Sequence, residues 1–365
     1  MKRILAIAGG IMGIIIVGII LISVRETDVE VTRQRTKVGF ILNGTIDDHS
    51  WGQSHYEGME LCADSLNLEV YYRENVPADE QCKEYIEDLI NQGCEIIICN
   101  SFGFGEYELE MADAHRDIHF FHATGVEERD NLATYFGRIY QMRYLSGIVA
   151  GLQTETDEIG YVAAYPITEV NRGINAFTLG VRQVNPDAHV YVEWTQSWTG
   201  DAEAEEATLK LLNEHDIDVL TIHTDTNRTL EIAEEQGIWC IGYNMDNIDL
   251  YPNTFLTAPV FEWENFYEPH ILECLQGKFV GKHYWEGAET GIVSLAPLSR
   301  NVKPGIQKEV ETATRKFLSG TFDVFYGPIT DTAGYMRVRE MECMTDAEML
   351  NAFDWYVEGV VVDVE

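Results

Sequence analysis

Basic residues are scarce in this chain, which has 25 Lys and Arg against 61 Asp and Glu and a formal net charge of −36. A surface of that sign repels polyanions, so the sequence predicts no nucleic-acid partner. The excess of acidic residues does not by itself identify a function, because an evenly spread negative charge also keeps a protein soluble.

Cysteine pairs and catalytic signatures are also lacking. The seven cysteines are odd in number and include no CxxC pair, which indicates neither a zinc site nor a disulfide framework; Cys62 and Cys82 are a weak candidate pair. The sequence contains no G-x-x-x-x-G-K-[ST] loop, no strand-linked G-x-G-x-x-G and no G-x-S-x-G elbow. It therefore predicts a protein that is not an enzyme and that uses neither a cofactor nor a metal.

One long uncharged segment stands near the N-terminus. Residues 4–24 carry no charge over 21 positions, with Lys2 and Arg3 before them and the acidic Glu26 soon after. As a helix the segment would span roughly 31 Å, close to the hydrocarbon thickness of a bilayer. The sequence predicts a transmembrane anchor over 1–25 with the rest of the chain on the extracytoplasmic face. A cleaved signal peptide is the alternative, but its apolar region would be unusually long and no small-x-small cleavage site follows it.

After a polar linker over 26–36, short apolar runs alternate with longer amphipathic stretches, a pattern typical of βαβ units on parallel sheets. The first series has predicted strands at 38–42, 69–72, 95–99 and 119–121, and helices near 50–66, 79–92 and 105–115. The second has predicted strands at 159–163, 189–194, 219–223 and 239–242, and helices near 170–184, 201–214 and 226–236.

Two series of this kind predict an α/β chain with two doubly wound parallel-sheet lobes and a hinge of several strands. The predicted division is 37–140 plus about 255–288 for lobe 1, 141–254 plus about 289–320 for lobe 2, and a C-terminal extension over 321–365 that packs on the lobes. Ligands of open α/β folds bind at the carboxyl ends of the strands, so the cleft between the lobes is the expected site.

Two tryptophans stand where predicted strands end. Trp51 opens the first helix after the first strand, and Trp198 follows the strand over 189–194. Their loop positions favour ligand contact, and two indoles facing across a cleft would clamp a flat ring. Phe102 lies in another strand-to-helix turn, residues 101–105, whose backbone is predicted to face the same cleft.

Polar side chains follow other strands at the same edge. Asp225 and Asp246 follow strands of the second series, so their carboxylates could accept hydrogen bonds from ring N–H groups or sugar hydroxyls. Asp225 could equally cap the helix that it precedes. His122 and Thr124 end a strand of the first series and face the same cleft, although a histidine beside a strand is more often structural.

The run Asp47, Asp48 and His49 could in principle bind a metal or cap the helix that follows it. Three consecutive side chains cannot all converge on one ion, and no spacing typical of metal sites supports them. Capping needs only one local acceptor, so Asp48 or Ser50 is predicted to satisfy the first free amides of the helix.

With these residues the sequence resembles the basic membrane protein family of ABC-transporter substrate-binding proteins, relatives of bacterial purine nucleoside receptors. The resemblance covers nearly all of the chain after the anchor and rests on the order of several short strings. These are KVGF at 37–40, DHSW at 48–51, SFGF at 101–104, HATG at 122–125, RYLSG at 143–147, RGINAFTLG at 172–180, QSW at 196–198, HTD at 223–225, FYGPI at 325–329 and DWYVEGV at 354–360.

The resemblance implies a type I periplasmic-binding-protein fold, closure of two lobes on a small molecule, and delivery to a membrane permease with its ATPase. In the nucleoside receptors an aromatic residue and an asparagine open the first helix, whereas this chain has Trp51 and Gly52. Trp198 matches the opposing aromatic residue and Asp246 the acidic residue that receives ribose hydroxyls. Phe261 stands where those receptors carry a lysine. These departures favour the branch that takes free purine bases, with adenine as the model.

The leading hypothesis is therefore a tethered, monomeric receptor for a purine nucleobase. Trp51 and Trp198 would stack the ring, while Asp246, Asp225 and Thr124 would read its edges. A purine nucleoside is the alternative ligand, and a membrane-tethered sensor or adhesin is the alternative role. A nucleoside hydrolase is disfavoured because the chain lacks a cluster of aspartates early in its sequence.

Overall fold

The structure is a computed structural model that describes residues 35–362. The predicted anchor over 1–25 and most of the predicted linker lie outside these residues. Within 35–362, no helix combines the length and the apolar character that a membrane span requires.

The described chain alternates strands and helices along most of its length. The strands are β1 (Lys37–Ile41), β2 (Glu69–Arg73), β3 (Ile96–Cys99), β4 (His119–Ala123), β5 (Leu132–Gly137), β6 (Glu158–Ala163), β7 (His189–Trp194), β8 (Val219–His223), β9 (Trp239–Ile241), β10 (Phe255–Thr257), β11 (Pro259–Phe261), β12 (His283–Glu286), β13 (Val293–Leu295), β14 (Ile329–Thr330), β15 (Met336–Val338) and β16 (Val360–Val362). The helices are α1 (Trp51–Leu66), α2 (Cys82–Asn91), α3 (Gly105–Ala114), α4 (Tyr140–Gln153), α5 (Thr168–Val184), α6 (Asp201–Glu214), α7 (Arg228–Gln236), α8 (Glu264–Leu275), α9 (Ile306–Leu318) and α10 (Asp346–Asn351).

These strands form two main sheets. The first has the order β12-β5-β4-β3-β1-β2 and the second the order β10-β9-β8-β6-β7-β16. Every neighbouring pair in both sheets is parallel. The prediction of an α/β chain with two parallel sheets is confirmed.

The central strands are apolar because helices cover both faces of a parallel sheet. All four residues of β3 are buried, as are all five of β8. The same rule explains why continuous apolar runs in the sequence, rather than alternating ones, marked these strands.

Strands near the C-terminus depart from the predicted division of the chain. β10 pairs with β9, so residues 255–257 belong to the second sheet, whereas the predicted boundary near 255 assigned them to the first lobe. β16, within the predicted C-terminal extension, adds to the second sheet beside β7. β16 and β7 are distant in sequence whereas β10 and β9 are consecutive strands, and local patterns specify neither pairing. The other lobe boundaries stay a prediction.

The passage between the sheets is built from short antiparallel strands. β11 follows β10 after one residue and pairs with β13, not with either main sheet. A bridge joins Asn244 to Val260 of β11, which ties this pair to the loop after β9. The segment that links the sheets is therefore fixed on both sides.

Helices α4 and α5 pack at unusually short range. A Cβ atom added to Gly147 would lie 2.1 Å from the Phe177 carbonyl oxygen, and one added to Gly180 would lie 2.0 Å from that of Tyr144. The two helices therefore approach backbone to backbone at both glycines. This contact accounts for the glycines in the RYLSG and RGINAFTLG strings.

The weak disulfide candidate is wrong. Cys62 and Cys82 are both free and buried, and they belong to separate apolar clusters of the described chain. Burial raises the pKa of each thiol to about 12, so both are protonated at neutral pH.

Candidate functional site

Loops after strands of the first sheet meet loops after strands of the second. The His49 carbonyl oxygen, in the loop after β1, accepts hydrogen bonds from Asn227 Nδ2 at 3.0 Å and Asn247 Nδ2 at 3.1 Å. Next to it, Ser50 Oγ accepts one from Asn244 Nδ2 at 3.0 Å. The strand ends of the two sheets are therefore bridged by direct hydrogen bonds.

The N-terminus of α1 is held by Asp48. Its carboxylate accepts hydrogen bonds from the backbone N–H groups of Ser50, Gly52 and Gln53 at 2.8–2.9 Å. The capping role predicted for Asp48 is confirmed, because these amides have no partner within the helix. Gly52 is required by the same turn: a Cβ at this position would lie 2.2 Å from the Thr45 carbonyl oxygen. Packing therefore accounts for glycine at residue 52 without reference to a ligand.

Trp51, the first residue of α1, is buried in a cluster of aromatic rings. Its ring meets those of Phe261 and Trp263 edge to face, each at 5.5 Å between centroids. Its Nε1 donates to the Asn100 carbonyl oxygen at 2.8 Å. Phe261 in turn stacks on Trp263 at 4.4 Å. The indole of Trp51 is thus fixed in one orientation before any ligand arrives.

Trp198 lies in the loop after β7 and is half-buried. Its ring lies 6.0 Å from Tyr165 and 6.3 Å from His223. His223 contacts Tyr243 at 4.7 Å, and Tyr243 contacts Phe261 at 6.4 Å. Trp51 and Trp198 therefore stand at the two ends of a continuous aromatic row, which consists of Trp51, Phe261, Tyr243, His223 and Trp198.

Asp225 lies beside this row, in the loop after β8. Its backbone N–H donates to the Trp198 carbonyl oxygen at 2.7 Å, and its carboxylate accepts from Asn244 Nδ2 at 3.1 Å. Desolvation, with a smaller contribution from the negative charge of Asp48, raises the pKa of Asp225 to about 8. The group can therefore be a hydrogen-bond donor as well as an acceptor near neutral pH.

Asp246 and Phe261 line a cavity of about 260 Å³. Its walls come from α1, from the loop after β9, and from β11 and β13. Asp246 is exposed, its carboxylate accepts from the Ile248 N–H at 3.1 Å, and partial burial raises its pKa. Beside it, the cavity is lined by Ser54, Glu57, Gly58, Leu61, Asn244, Met245, Val260, Glu262, Glu264, Ser294, Ala296 and Pro297.

The other three predicted site residues make their contacts within the first sheet and its loops. His122 is buried, its Nε2 lies 2.9 Å from the Ser101 carbonyl oxygen, and burial lowers its pKa to about 4. Thr124 has a left-handed backbone, with φ of 61°, and its hydroxyl donates to the Ala123 carbonyl oxygen at 2.6 Å. Phe102 is 64% exposed on a single 3-10 turn. These contacts do not join any of the three to the aromatic row.

Two buried asparagines in the site were missed by the sequence analysis. Asn100 directly follows β3; its Oδ1 accepts from the Asn43 N–H at 3.1 Å, while its Nδ2 has no partner. Asn244 follows β9, and its Oδ1 has no partner. Both stand just past a strand end, which is the signal that singled out Asp225 and Asp246, and the same signal applied to neutral amides would have found them.

Comparison with known proteins identifies the class to which this fold and site belong. The model of the Bmp family, described as "ABC transporter substrate-binding protein PnrA-like", matches residues 35–324. The chain belongs to this family, as the resemblance implied. An ABC-transporter solute-binding protein of Aeropyrum pernix, solved as a crystal structure, superposes with a TM-score of 0.68 at 16% identity and covers 81% of this chain and 93% of its own.

Individual relatives are close over almost the whole chain. A purine-binding protein of Brucella abortus is 32% identical over 329 residues, which are 90% of this chain and 93% of that protein. A putative ABC transporter glucose-binding protein of Haloferax volcanii is 33% identical over 333 residues, or 91% of this chain and 82% of that one. A transcriptional activator of the comK gene from Bacillus halodurans superposes with a TM-score of 0.70 at 24% identity and covers 78% of this chain and 99% of its own.

Proposed function

We propose that this protein is the extracytoplasmic substrate-binding component of an ABC importer and that it binds a purine nucleobase resembling adenine between its two sheets. The observation that carries the proposal is the aromatic row, which runs from Trp51 at one sheet to Trp198 at the other. The similarity to a purine-binding protein over 90% of the chain supports it independently.

The chemistry of the row suits a flat heteroaromatic ring. Aromatic side chains bind such rings through dispersion and the quadrupole of the π-face, which contributes about 0.5–1.5 kcal/mol per pair beyond the area buried. A purine also needs partners around its edge. Asn100 offers an unpartnered donor, and Asn244 offers an unpartnered acceptor. Asp225 offers a carboxyl group whose pKa, about 8, is close to neutral pH.

A purine nucleoside is the second candidate, and the cavity beside Phe261 favours it. The cavity holds about 260 Å³ next to the row and is lined by Asp246, whose carboxylate can accept from sugar hydroxyls. Phe261 favours the nucleobase instead, because an apolar ring at this position offers a sugar no hydrogen bond. The nucleobase proposal therefore rests on Phe261 and not on Gly52.

The proposed assembly combines the role of the family with the predicted anchor. Residues 1–25 would anchor the monomer in the membrane, so that the described domain stays on the extracytoplasmic face beside a permease whose ATPase is cytoplasmic. The alternative role as a tethered sensor uses the same ligand site. Disruption of the permease distinguishes the two roles, because it abolishes ligand uptake by an importer and leaves a sensor's response intact.

The row is tested by Trp198→Ala, whose side chain is half-buried and therefore removable with little damage to the core. We expect the affinity for adenine, measured by titration calorimetry, to fall about tenfold, which corresponds to the loss of one aromatic contact. Trp239→Ala is the matched control, because Trp239 is also half-buried but lies at the start of β9, outside the row. Equal affinities for adenine in the two variants would contradict the proposal.

A further inference from the structure

Asn244 is held rigidly at the junction of the two sheets. It is 1% exposed and has a left-handed backbone, with φ of 69°. Its N–H donates to the Pro259 carbonyl oxygen at 3.0 Å, which joins it to β11. Non-glycine residues seldom adopt this backbone, and asparagine is one of the few that tolerate it. The backbone therefore determines where the amide of Asn244 is presented.

The Nδ2 group of this amide is fully used within the protein. It donates to Ser50 Oγ at 3.0 Å, in the loop after β1 of the first sheet, and to Asp225 Oδ1 at 3.1 Å, in the loop after β8 of the second. The amide thus links both sides of the cleft. An ionised Asp225 carboxylate favours this orientation, because a half-turn of the amide would set Oδ1 against it.

The Oδ1 atom of the same amide is buried and has no hydrogen-bond partner. Asn244 also lines the cavity beside Phe261. A buried acceptor without a partner is unfavourable, and the great majority of buried polar atoms in proteins are satisfied. A ligand that brings an N–H donor to this atom removes that penalty, whereas a ligand that presents only acceptors there does not.

We infer that Asn244 is a specificity-determining residue that reads an N–H group of the ligand with Oδ1 while its Nδ2 holds the cleft closed. The inference rests on the proposed function, since the ligand is taken to be a purine. One amide then performs both tasks, so recognition of the donor and closure are coupled. A purine that lacks the donor would meet the same aromatic row but leave Oδ1 unpaired.

The test is a set of calorimetric titrations of the full-length chain in detergent with adenine, purine and 9-methyladenine. Purine lacks the exocyclic amine of adenine, and 9-methyladenine lacks the N9–H. Asn244→Gly deletes the amide and suits the left-handed backbone, so it is preferred to Asn244→Ala. Asn247→Ala is the matched control, because Asn247 also donates across the cleft, to His49, at 3.1 Å.

Wild type is expected to bind adenine at least about tenfold more tightly than one of the two analogues. The reason is that the weaker analogue would leave the buried Oδ1 acceptor unpaired. Asn244→Gly should abolish this preference for adenine. Asn247→Ala should lower the affinity for all three ligands by the same factor, so that the preference for adenine is retained. An unchanged preference in Asn244→Gly, or no preference in wild type, would overturn the inference and leave the proposed function standing. Failure of wild type to bind any of the three would overturn both.

Discussion

The carboxyl of Asp225 holds its proton to a higher pH than an ordinary aspartate. Its pKa is raised to about 8, mainly by desolvation and secondly by Asp48. In the unfolded chain the same group titrates near its ordinary pKa of about 4. Between about pH 4 and 8 the folded protein therefore binds more protons than the unfolded one, and the free energy of unfolding must fall as the pH rises.

Asp225→Asn removes this titration and nearly preserves the shape of the side chain. We expect the melting temperature of wild type to fall relative to that of Asp225→Asn as the pH is raised from 5 to 8, measured without ligand by circular dichroism. The slope is the readout, because the substitution also changes the bond with Asn244 and shifts stability at every pH. Parallel curves for the two proteins would show that Asp225 titrates normally.

At the scale of residues, the structure brings together five of the eight side chains that the sequence selected for the candidate site. Trp51, Trp198, Asp225, Asp246 and Phe261 were predicted from their positions after strands or from the family resemblance, and all lie on the aromatic row or beside it. Their roles in binding stay predictions. His122, near the end of β4, contacts the Ser101 carbonyl oxygen of its own sheet's loops. Whether a side chain near a strand end turns toward the cleft or away from it depends on tertiary packing.

Gly147 and Gly180 set the distance at which helices α4 and α5 pack. Gly180→Ala is expected to lower the free energy of unfolding by about 1–3 kcal/mol, as overpacking of a dense core does. The reason is that the new Cβ would lie 2.0 Å from the Tyr144 carbonyl oxygen, so one helix must move. Urea denaturation measures the change.

Gly44→Ala is the matched control, since a Cβ there would lie 3.5 Å from Asp48 Oδ2, an ordinary contact. We expect its unfolding midpoint to stay close to that of wild type. If Gly180→Ala is as stable as Gly44→Ala, the close approach of α4 and α5 does not describe the folded protein.

At the scale of elements, the alternation of apolar and amphipathic runs predicted four of the six strands of each main sheet. The first strand, for example, was predicted at 38–42 and runs over Lys37–Ile41. Pairing was harder to predict. β16 joins the second sheet beside β7, far away in sequence, and β10 joins it beside the preceding strand β9 and not the first sheet. Periodicity reports burial within a segment, whereas register and sheet membership are decided by the contacts between segments.

At the scale of the molecule, the C-terminal segment connects with both sheets. Arg138, just after β5, pairs with the Asp346 carboxylate at 2.5 and 2.9 Å and lies 4.0 Å over the Trp285 ring of β12. On α5, Asn175 Nδ2 donates to the Trp355 carbonyl oxygen at 2.9 Å and its Oδ1 accepts from the Val357 N–H at 2.9 Å. The segment is therefore part of the fold and not an appendage.

These two attachments should differ in strength because their burial differs. Asn175 is fully buried, so Asn175→Ala leaves two backbone groups without partners and should lower the free energy of unfolding by about 1–3 kcal/mol per group. The Asp346 side chain is 57% exposed, and Asp346→Ala should cost about 1 kcal/mol or less. Urea denaturation measures the free energy of unfolding of both variants. If Asp346→Ala is destabilised as much as Asn175→Ala or more, this account of the C-terminal segment is contradicted.

The central claim is that the cleft binds a purine, and the most direct measurement is calorimetric titration of the full-length wild-type chain with adenine, adenosine and glucose. The account predicts saturable 1:1 binding of adenine, weaker binding of adenosine and none of glucose. Tighter binding of adenosine would transfer the proposal to a nucleoside held partly in the cavity beside Phe261. Binding of glucose without either purine would contradict the claim, because the aromatic row and its unpartnered amides would then serve a different ligand.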